Sequence, residues 1–475
     1  MQLDRWVSEA VQSHRRWMDT FGPFTPHPVL EVSDEQLAAP FAELAQRLRE
    51  NYPFGHPSYA GQMLKPPHPV AMVGYLAAML INPNNHALDG GPATAAMEKE
   101  VVAQLAAMFG LPASPGHLGH LTSSGTIANL EALWVARQTH PSLRIAYSQD
   151  AHYTHARMCG LLGVQGQVVS VDAAGRMDLD ALAEVLDRGE VGTVVLTAGT
   201  TGLGAVDPID AAVAMCRGHG VRVHVDAAYG GFFTLLARSD DDGDDDGDAG
   251  GAGLAPGPWR AIGSADSVVV DPHKHGLQPY GCGAVLFADP DVGRFYGHDS
   301  PYTYFTSDEL HLGEISLECS RAGAAAAALW LTLQVFPLTP DGLGAVLRPG
   351  RRAALRWADL IGGSELLDLY QVPELDIVTY LPRVRPPAGT ARASLSALDR
   401  ASGRVLAAGM ADSSAYLATY AVTAASLAER GHQLDPDCES GRVLRSVLMK
   451  PEAELTVDAL HARVEALAAR ALGQA

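Results

Sequence analysis

The chain has 475 residues, of which 47% are hydrophobic, so it can bury a large core and build one large and one or two smaller domains. Its formal net charge of −20 argues against nucleic acid and anionic membrane surfaces as partners. Seven aspartates between Asp240 and Asp248 contribute −7 of that charge, which leaves −13 for the rest of the chain.

The five cysteines are scattered, with no CxxC pair and no metal-ligand spacing. This pattern predicts a reduced, cytoplasmic protein without a metal site. The first residues, Met1 to Trp6, are amphipathic and contain no apolar signal core. Because no later segment is long and apolar enough to cross a bilayer, we expect no membrane partner.

In chain order, the pattern predicts three parts. Residues 1–81 mix helical periodicity with proline-rich loops and are expected to form an amino-terminal arm or lid. Residues 82–339 are expected to form the large domain, which starts with a helix after Thr94 and then alternates helices with short β-branched runs. Such runs are typical of a mostly parallel α/β sheet that is buried on both faces. The predicted strands are residues 145–147, 168–171, 193–196, 221–225, 268–270 and 284–287.

Residues 340–475 are expected to form a small α+β domain. Its predicted strands are residues 375–380 and 444–449, and its last helix is predicted to be capped by Thr456.

An acidic insertion, residues 239–257, interrupts the large domain and consists almost entirely of Asp, Gly and Ala. This composition cannot bury apolar surface, so it predicts a disordered, solvated loop. A calcium loop is the alternative because Asp-x-Asp-Gly occurs there. The segment lacks the apolar residue and the terminal glutamate of an EF-hand loop, which favours the solvated loop.

A lysine and an aspartate follow two of the predicted strands. Lys274 lies in Asp271-Pro272-His273-Lys274, just after residues 268–270, and Asp226 directly follows residues 221–225. This pair suits a pyridoxal-phosphate enzyme, because a partly desolvated lysine can form a Schiff base with the cofactor aldehyde. The aspartate can keep the pyridine nitrogen protonated, so that the ring accepts electrons. A buried salt bridge is the alternative interpretation.

Three further polar segments follow predicted strands or precede a helix. Ser124, Gly125 and Thr126 before a helix suit a phosphate, although Thr126 could be an ordinary helix cap. His152 could lie over a flat ring, or could be a polar loop residue. Thr201, in a glycine-rich turn, could bind a phenolic oxygen. In open α/β sheets, ligands bind at the carboxyl ends of the strands, and these segments are all predicted to lie there.

In this order, these segments resemble the group II pyridoxal-phosphate-dependent amino-acid decarboxylases, and particularly the aromatic and tyrosine decarboxylases. Two further segments extend the resemblance over nearly the whole chain: His56-Pro57-Ser58-Tyr59, and Leu317 to Arg321 with Trp330. The resemblance implies a fold-type I, aminotransferase-like architecture and a homodimer with active sites at the interface. It also implies pyridoxal 5'-phosphate as the cofactor and a small molecule, an amino acid, as the substrate.

The resemblance implies a role for each residue of the site. Lys274, His152, Asp226 and a tyrosine on a loop after the lysine would be catalytic. Tyr302 is favoured slightly over Tyr304 as the proton donor, and simple aromatic packing is the alternative for both. The cofactor-binding residues would be Ser124, Gly125, Thr126 and His273 at the phosphate, His152 and Ala228 at the two ring faces, Thr201 at the phenolic oxygen, Asp226 at the ring nitrogen and Lys274 at the aldehyde.

Two residues depart from the common family pattern. His275 follows the lysine where many members carry an aromatic residue or methionine, and Asp271 stands where several members have asparagine. Because a carboxylate repels a phosphate, Asp271 is expected to point away or to bind a backbone N–H.

The substrate side would be lined by Tyr59, Gln62 and Met63, which predicts an apolar pocket with one polar residue. An aromatic or bulky apolar L-amino acid is the first expectation. A small aliphatic or acidic substrate stays open, and an acidic one would need a cation such as Lys65 or Arg321. An aminotransferase, a decarboxylating aldehyde synthase and a non-catalytic regulatory subunit are the alternative functions.

Overall fold

The fold is described from a computed structural model, which describes residues 1–113, 116–237, 254–297 and 310–473. Within these ranges, seven strands form one sheet in the order β1-β7-β6-β5-β4-β2-β3. Only β7 runs antiparallel to its neighbours there, and the other pairings are parallel. The strands are β1 (Leu118–Thr122), β2 (Arg144–Ser148), β3 (Gly166–Val169), β4 (Val191–Thr197), β5 (Arg222–Asp226), β6 (Ser267–Val270) and β7 (Gly283–Phe287).

Helices cover both faces of this sheet. Val268 and Val270 of β6 pack with two helices on one face, whereas Val269 packs with another helix on the opposite face. Since successive side chains of a strand point to opposite faces, an unbroken valine run is buried between two helical layers. The described helices are α1 (Leu3–Asp19), α2 (Asp34–Leu48), α3 (Pro69–Met79), α4 (Pro92–Phe109), α5 (Gly125–Thr139), α6 (Thr154–Leu162), α7 (Leu179–Asp187), α8 (Ile209–Gly218), α9 (Thr234–Ala237), α10 (Pro256–Ala261), α11 (Gly323–Val335), α12 (Leu343–Gly362), α13 (Leu395–Ala411), α14 (Ala424–Glu429) and α15 (Ala453–Leu472).

A second, antiparallel sheet lies in the carboxyl-terminal part and has the order β10-β11-β9-β8. Trp357, Val405 and Val464 bring α12, α13 and α15 together in its core. We propose that the boundary between the large and small domains lies near residue 340, between α11 and α12. The strands of this sheet are β8 (Leu367–Gln371), β9 (Ile377–Pro382), β10 (Ala418–Val422) and β11 (Gly441–Val447).

The amino-terminal arm is not uniform. Helices α1 and α2 bury none of their residues, whereas α3 buries Val70, Ala71 and Val73 and packs against α11. The arm therefore combines two exposed amphipathic helices with one helix that belongs to the core.

The predicted α/β class is confirmed, and every strand predicted in the large domain is present. Strand β1 escaped prediction because its sequence, Leu118-Gly119-His120-Leu121-Thr122, contains no β-branched run. The predicted cap at Thr456 is wrong: α15 begins at Ala453, and the Thr456 hydroxyl donates to the Glu452 carbonyl. Residues 239–253 of the acidic insertion lie outside the described ranges, and α10 already begins at Pro256.

Candidate active site

A cavity of about 220 Å³ lies at the carboxyl edge of the large sheet. Strands β1, β2, β4, β5 and β6 all end there, and the segments that follow them form its wall. All nine predicted cofactor-binding residues line it: Ser124, Gly125, Thr126, His152, Thr201, Asp226, Ala228, His273 and Lys274. The sequence did not single out Asn129, Tyr153, Thr154, Thr197, Gly199 or Tyr229, which also line the cavity.

Lys274 and Asp271 form an ion pair inside this cavity. The Lys274 backbone N–H donates to the Asp271 carbonyl, and this turn brings Lys274 Nζ to 3.1 Å from Asp271 Oδ2. The expectation that Asp271 points away or binds a backbone N–H is therefore wrong, because its side chain lines the cavity and its Oδ1 has no hydrogen-bond partner in the part of the chain that the structure describes. The tight turn makes the two side chains converge, and the lysine compensates the buried carboxylate.

Asp226 is buried at the end of β5 and is held by two donors. His155 Nε2 donates to Oδ2 at 2.9 Å, and the Ala228 backbone N–H donates to Oδ1 at 3.1 Å. Burial disfavours ionisation of this carboxyl group, but the His155 hydrogen bond and the charges of His155 and Lys274 hold its pKa well below the usual value. Asp226 is therefore an anion at neutral pH, as a partner for a protonated ring nitrogen must be.

His155 was missed from the sequence. It lies in the first turn of α6, three residues after His152, with a fully buried side chain. The only pattern in the sequence that pointed to His155 was its spacing from His152. Only the tertiary fold brings the first turn of α6 to the end of β5.

His152 lines both this cavity and an adjoining one. Its Nδ1 is held by the Thr154 hydroxyl at 2.7 Å and by the Thr154 backbone N–H at 3.3 Å. Burial lowers the pKa of His152, so its imidazole is neutral at neutral pH. A neutral, oriented imidazole can contact a flat ring without adding charge.

The phosphate-binding prediction fits the start of α5. Ser124 is the N-cap, and its hydroxyl accepts from the Ile127 backbone N–H at 3.3 Å. The first N–H groups of a helix attract anions. A Cβ on Gly125 would lie 2.5 Å and 2.6 Å from the two Asp271 carboxylate oxygens, so only glycine lets the two segments approach this closely. On the other side, His273 Nδ1 donates to the Cys282 carbonyl at 2.8 Å, which fixes its ring.

Gly125→Ala is expected to weaken cofactor affinity by roughly tenfold or more, because the new methyl group would displace Asp271 and with it Lys274. Gly160→Ala is the matched control, since no atom lies within 4 Å of a Cβ at this glycine of α6. Titration of both apoenzymes with pyridoxal phosphate, followed by absorbance, measures the affinity. Equal affinity of the two variants would contradict the close approach at Gly125.

The predicted substrate-side residues separate in the structure. Gln62 lines the adjoining cavity of about 360 Å³, and Met63 packs against the core of the large domain. Tyr59 is buried, and its hydroxyl accepts from the Gln62 backbone N–H, so it supports Gln62 from behind. Arg445 of β11 also lines this cavity, with its Nη2 bound to the Thr201 carbonyl at 2.6 Å. Arg445 could not be predicted as a site residue from the sequence, because β11 belongs to the other sheet. Tyr302 and Tyr304 lie outside the described residues.

The pyridoxal-dependent decarboxylase conserved domain matches residues 35–364 of the chain. The chain belongs to the pyridoxal-dependent decarboxylase family. It is thus a pyridoxal-phosphate-dependent amino-acid decarboxylase of fold type I.

Relatives of this decarboxylase differ in substrate. L-tyrosine decarboxylase of Enterococcus faecium is 27% identical, and the match covers 75% of this chain and 74% of that enzyme. The probable L-aspartate decarboxylase of Halobacterium salinarum is 32% identical over 283 residues, which cover 59% of this chain and 71% of that protein.

Two solved structures have the same fold as this decarboxylase. Mouse CSAD in apo form superposes with a TM-score of 0.76 at 22% identity, over 95% of this chain and 91% of that chain. Oryza sativa TDC with PLP and tryptamine gives a TM-score of 0.76 at 18% identity, over 98% of this chain and 97% of that chain.

Among the described residues, no helix combines the length and the apolar character needed to cross a membrane. In the same residues, no group of three or more His, Cys, Asp or Glu side chains is arranged to hold a metal ion.

Proposed function

We propose that this decarboxylase converts an aromatic or bulky apolar L-amino acid into its amine and CO2. The observation that carries the proposal is the 360 Å³ cavity that adjoins the lysine cavity and is lined in part by the rings of Tyr153 and Tyr420. Several polar side chains also line it, Gln149, Asp150 and Arg445 among them, so the predicted apolar pocket with one polar residue is wrong. A volume of this order suits a ring-sized side chain, and the two tyrosine rings can pack against an aromatic substrate. The similarity to an enzyme named L-tyrosine decarboxylase supports the same choice.

An acidic L-amino acid is the second candidate, and Arg445 favours it. Its side chain is 4% exposed, and a buried guanidinium in a cavity wall can bind a carboxylate. The two cations considered from the sequence line neither this cavity nor the lysine cavity. Arg321 pairs with Glu98 at 2.7 Å, and Lys65 donates to the Met449 carbonyl at 3.4 Å.

The proposed roles follow from the geometry of the site. When bound, pyridoxal phosphate supplies an aldehyde and a ring that takes up the electron pair released as CO2 leaves. Lys274 Nζ would bind the aldehyde, Asp226 would hold the proton on the ring nitrogen, and neutral His152 would lie against the ring. The donors at the start of α5 would hold the phosphate.

We propose Tyr302 as the donor of the proton that replaces the carboxylate at the substrate Cα, with Tyr304 as the alternative. Tyr302→Phe is expected to lower kcat by about 100-fold, because it removes a general acid and leaves the ring in place. Tyr304→Phe is the matched control and should retain most activity. If both variants form amine at the parental rate, neither tyrosine is the donor.

Product analysis tests the proposed function. Purified holoenzyme is incubated with each of the twenty amino acids, and amines, keto acids, aldehydes and peroxide are measured by mass spectrometry and a peroxidase assay. Amine from tyrosine, phenylalanine or tryptophan supports the first candidate, and amine from aspartate or glutamate supports the second. Aldehyde with peroxide would identify an aldehyde synthase, and a keto acid would identify an aminotransferase.

We propose a homodimer with active sites at its interface. Support comes from α1 and α2, which expose large apolar side chains, including Trp17 at 46% and Phe41 at 63%. Exposed apolar surface of this extent is typical of an interaction site. Light scattering after gel filtration should give twice the chain mass, and a monomer would contradict the proposal.

We also propose a cytoplasmic location. All five cysteines are free in the structure, as is usual in a reducing compartment.

A further inference from the structure

The pair formed by His155 and Asp226 is buried directly behind the lysine cavity. The exposed fraction of the side chain is 0% for His155 and 6% for Asp226, and Nε2 lies 2.9 Å from Oδ2. Only Asp226 of the two residues lines the cavity. His155 therefore acts on anything in the cavity through Asp226 and not by direct contact.

The hydrogen positions follow from the atoms. An ionised carboxylate only accepts hydrogen bonds, so His155 Nε2 must carry the hydrogen. His155 Nδ1 has no hydrogen-bond partner among the described residues, which leaves the ring with Nε2 as its one hydrogen-bonded donor there. Oδ1 of Asp226 accepts from the Ala228 backbone N–H, so each carboxylate oxygen has one protein donor and a further lone pair. These two bonds fix the plane of the carboxylate and favour its ionised form.

The surroundings hold the His155 ring in place. Its centroid lies 6.2 Å from that of Tyr147 on β2 and 6.4 Å from that of His224 on β5. Burial lowers the pKa of His224 to about 3, and this neutral ring is itself held between Asn129 and Ser267. The other charged or titratable groups that act on the pair are His152 and Lys274. Among the described residues, Asp226 is the carboxylate that His155 binds, and Asp271 acts on His152 instead.

We propose that His155 is a positioning residue, which holds the Asp226 carboxylate ionised and oriented so that it keeps the cofactor's ring nitrogen protonated. The inference rests on the cofactor site and the decarboxylation described above. A structural role alone would make His155 important for folding, but it would leave the protonation of the ring nitrogen unchanged in any variant that folds.

The test compares His155→Phe, which fills the space without a donor, with His155→Gln, which keeps an N–H donor. Each holoenzyme is loaded with pyridoxal phosphate labelled with ¹⁵N in the ring, and solid-state NMR follows the nitrogen as the pH is raised. His461→Phe is the matched control, because His461 is a buried helical histidine 3.6 Å from Glu465, in the small domain. His155→Leu replaces the Phe variant if that variant does not fold.

The parent and His461→Phe are expected to keep the ring nitrogen protonated through the neutral and mildly alkaline range. His155→Phe should lose this proton at a lower pH, with kcat reduced roughly ten- to hundredfold and KM little changed. His155→Gln should restore most of both properties. If folded His155→Phe or His155→Leu titrates like the parent and keeps kcat within about twofold, the proposal is overturned.

The proposed function and the role of His155 can fail separately. If borohydride reduction leaves no cofactor attached to the parent, and the parent forms no product from any amino acid, the proposed function fails. If the parent is active and its ring nitrogen titrates as the His155→Phe nitrogen does, only the role of His155 fails.

Discussion

Replacing Lys274 with alanine is expected to lower the rate of amine formation by at least about a thousandfold, because the variant has no amine to bind the cofactor aldehyde. Lys274 Nζ lies in the cavity wall, 3.1 Å from Asp271, and it is the one lysine among the described residues that line this cavity. Borohydride reduction followed by peptide mapping should place the phosphopyridoxyl group on Lys274 in the parent and on no residue in the variant.

Lys99→Ala is the control for this experiment, because Lys99 lies on α4 away from the cavity. It should keep the parental rate. An active Lys274→Ala enzyme with the cofactor attached to another lysine would contradict the assignment.

Asp226→Asn is expected to lower kcat by roughly a thousandfold while the protein stays folded. The asparagine has the same shape, and its oxygen can still accept from His155 Nε2. It carries no negative charge, so it cannot keep the ring nitrogen protonated. Single-turnover rates, together with the thermal unfolding temperature of both proteins, separate loss of chemistry from loss of fold.

The pH dependence gives a second check on Asp226. Its pKa is depressed in the folded state, so its contribution to stability is present above the unfolded pKa and is lost as the pH falls through the folded value. Asp226 therefore stays ionised throughout the range in which the enzyme works. The acid limb of the kcat profile should therefore not arise from Asp226, and Asp226→Asn should lower the plateau without moving that limb.

The cofactor side of the site could be predicted from the sequence because its residues follow strands. The carboxyl ends of parallel strands meet at one edge of a sheet, so Asp226 after β5 and Lys274 after β6 had to lie close together. The same argument brought in His152 after β2 and Thr201 after β4. Four local patterns, each weak by itself, were enough because the topology joins them.

The remaining parts depend on contacts that no local pattern encodes. His155 reaches Asp226 only because the tertiary fold brings the first turn of α6 to the end of β5, and Arg445 comes from the second sheet. The direction of Asp271 depends on one tight turn, which brings its carboxylate to Lys274. Tyr59 supports Gln62 through a single hydrogen bond to its hydroxyl.

The antiparallel strand β7 connects the lysine end of the cavity with its Ser124 end. The segment that carries Lys274 turns back at Cys282, whose carbonyl accepts from the backbone N–H and from Nδ1 of His273, and Gly283 then lies against Ser124 and Gly125. The turn into β7 thus joins the segment that carries Lys274 to the start of α5, where the phosphate would be held. The adjoining cavity is lined by residues far apart in the chain, Gln62 and Arg445, so its wall can change without a change in the residues that surround Lys274.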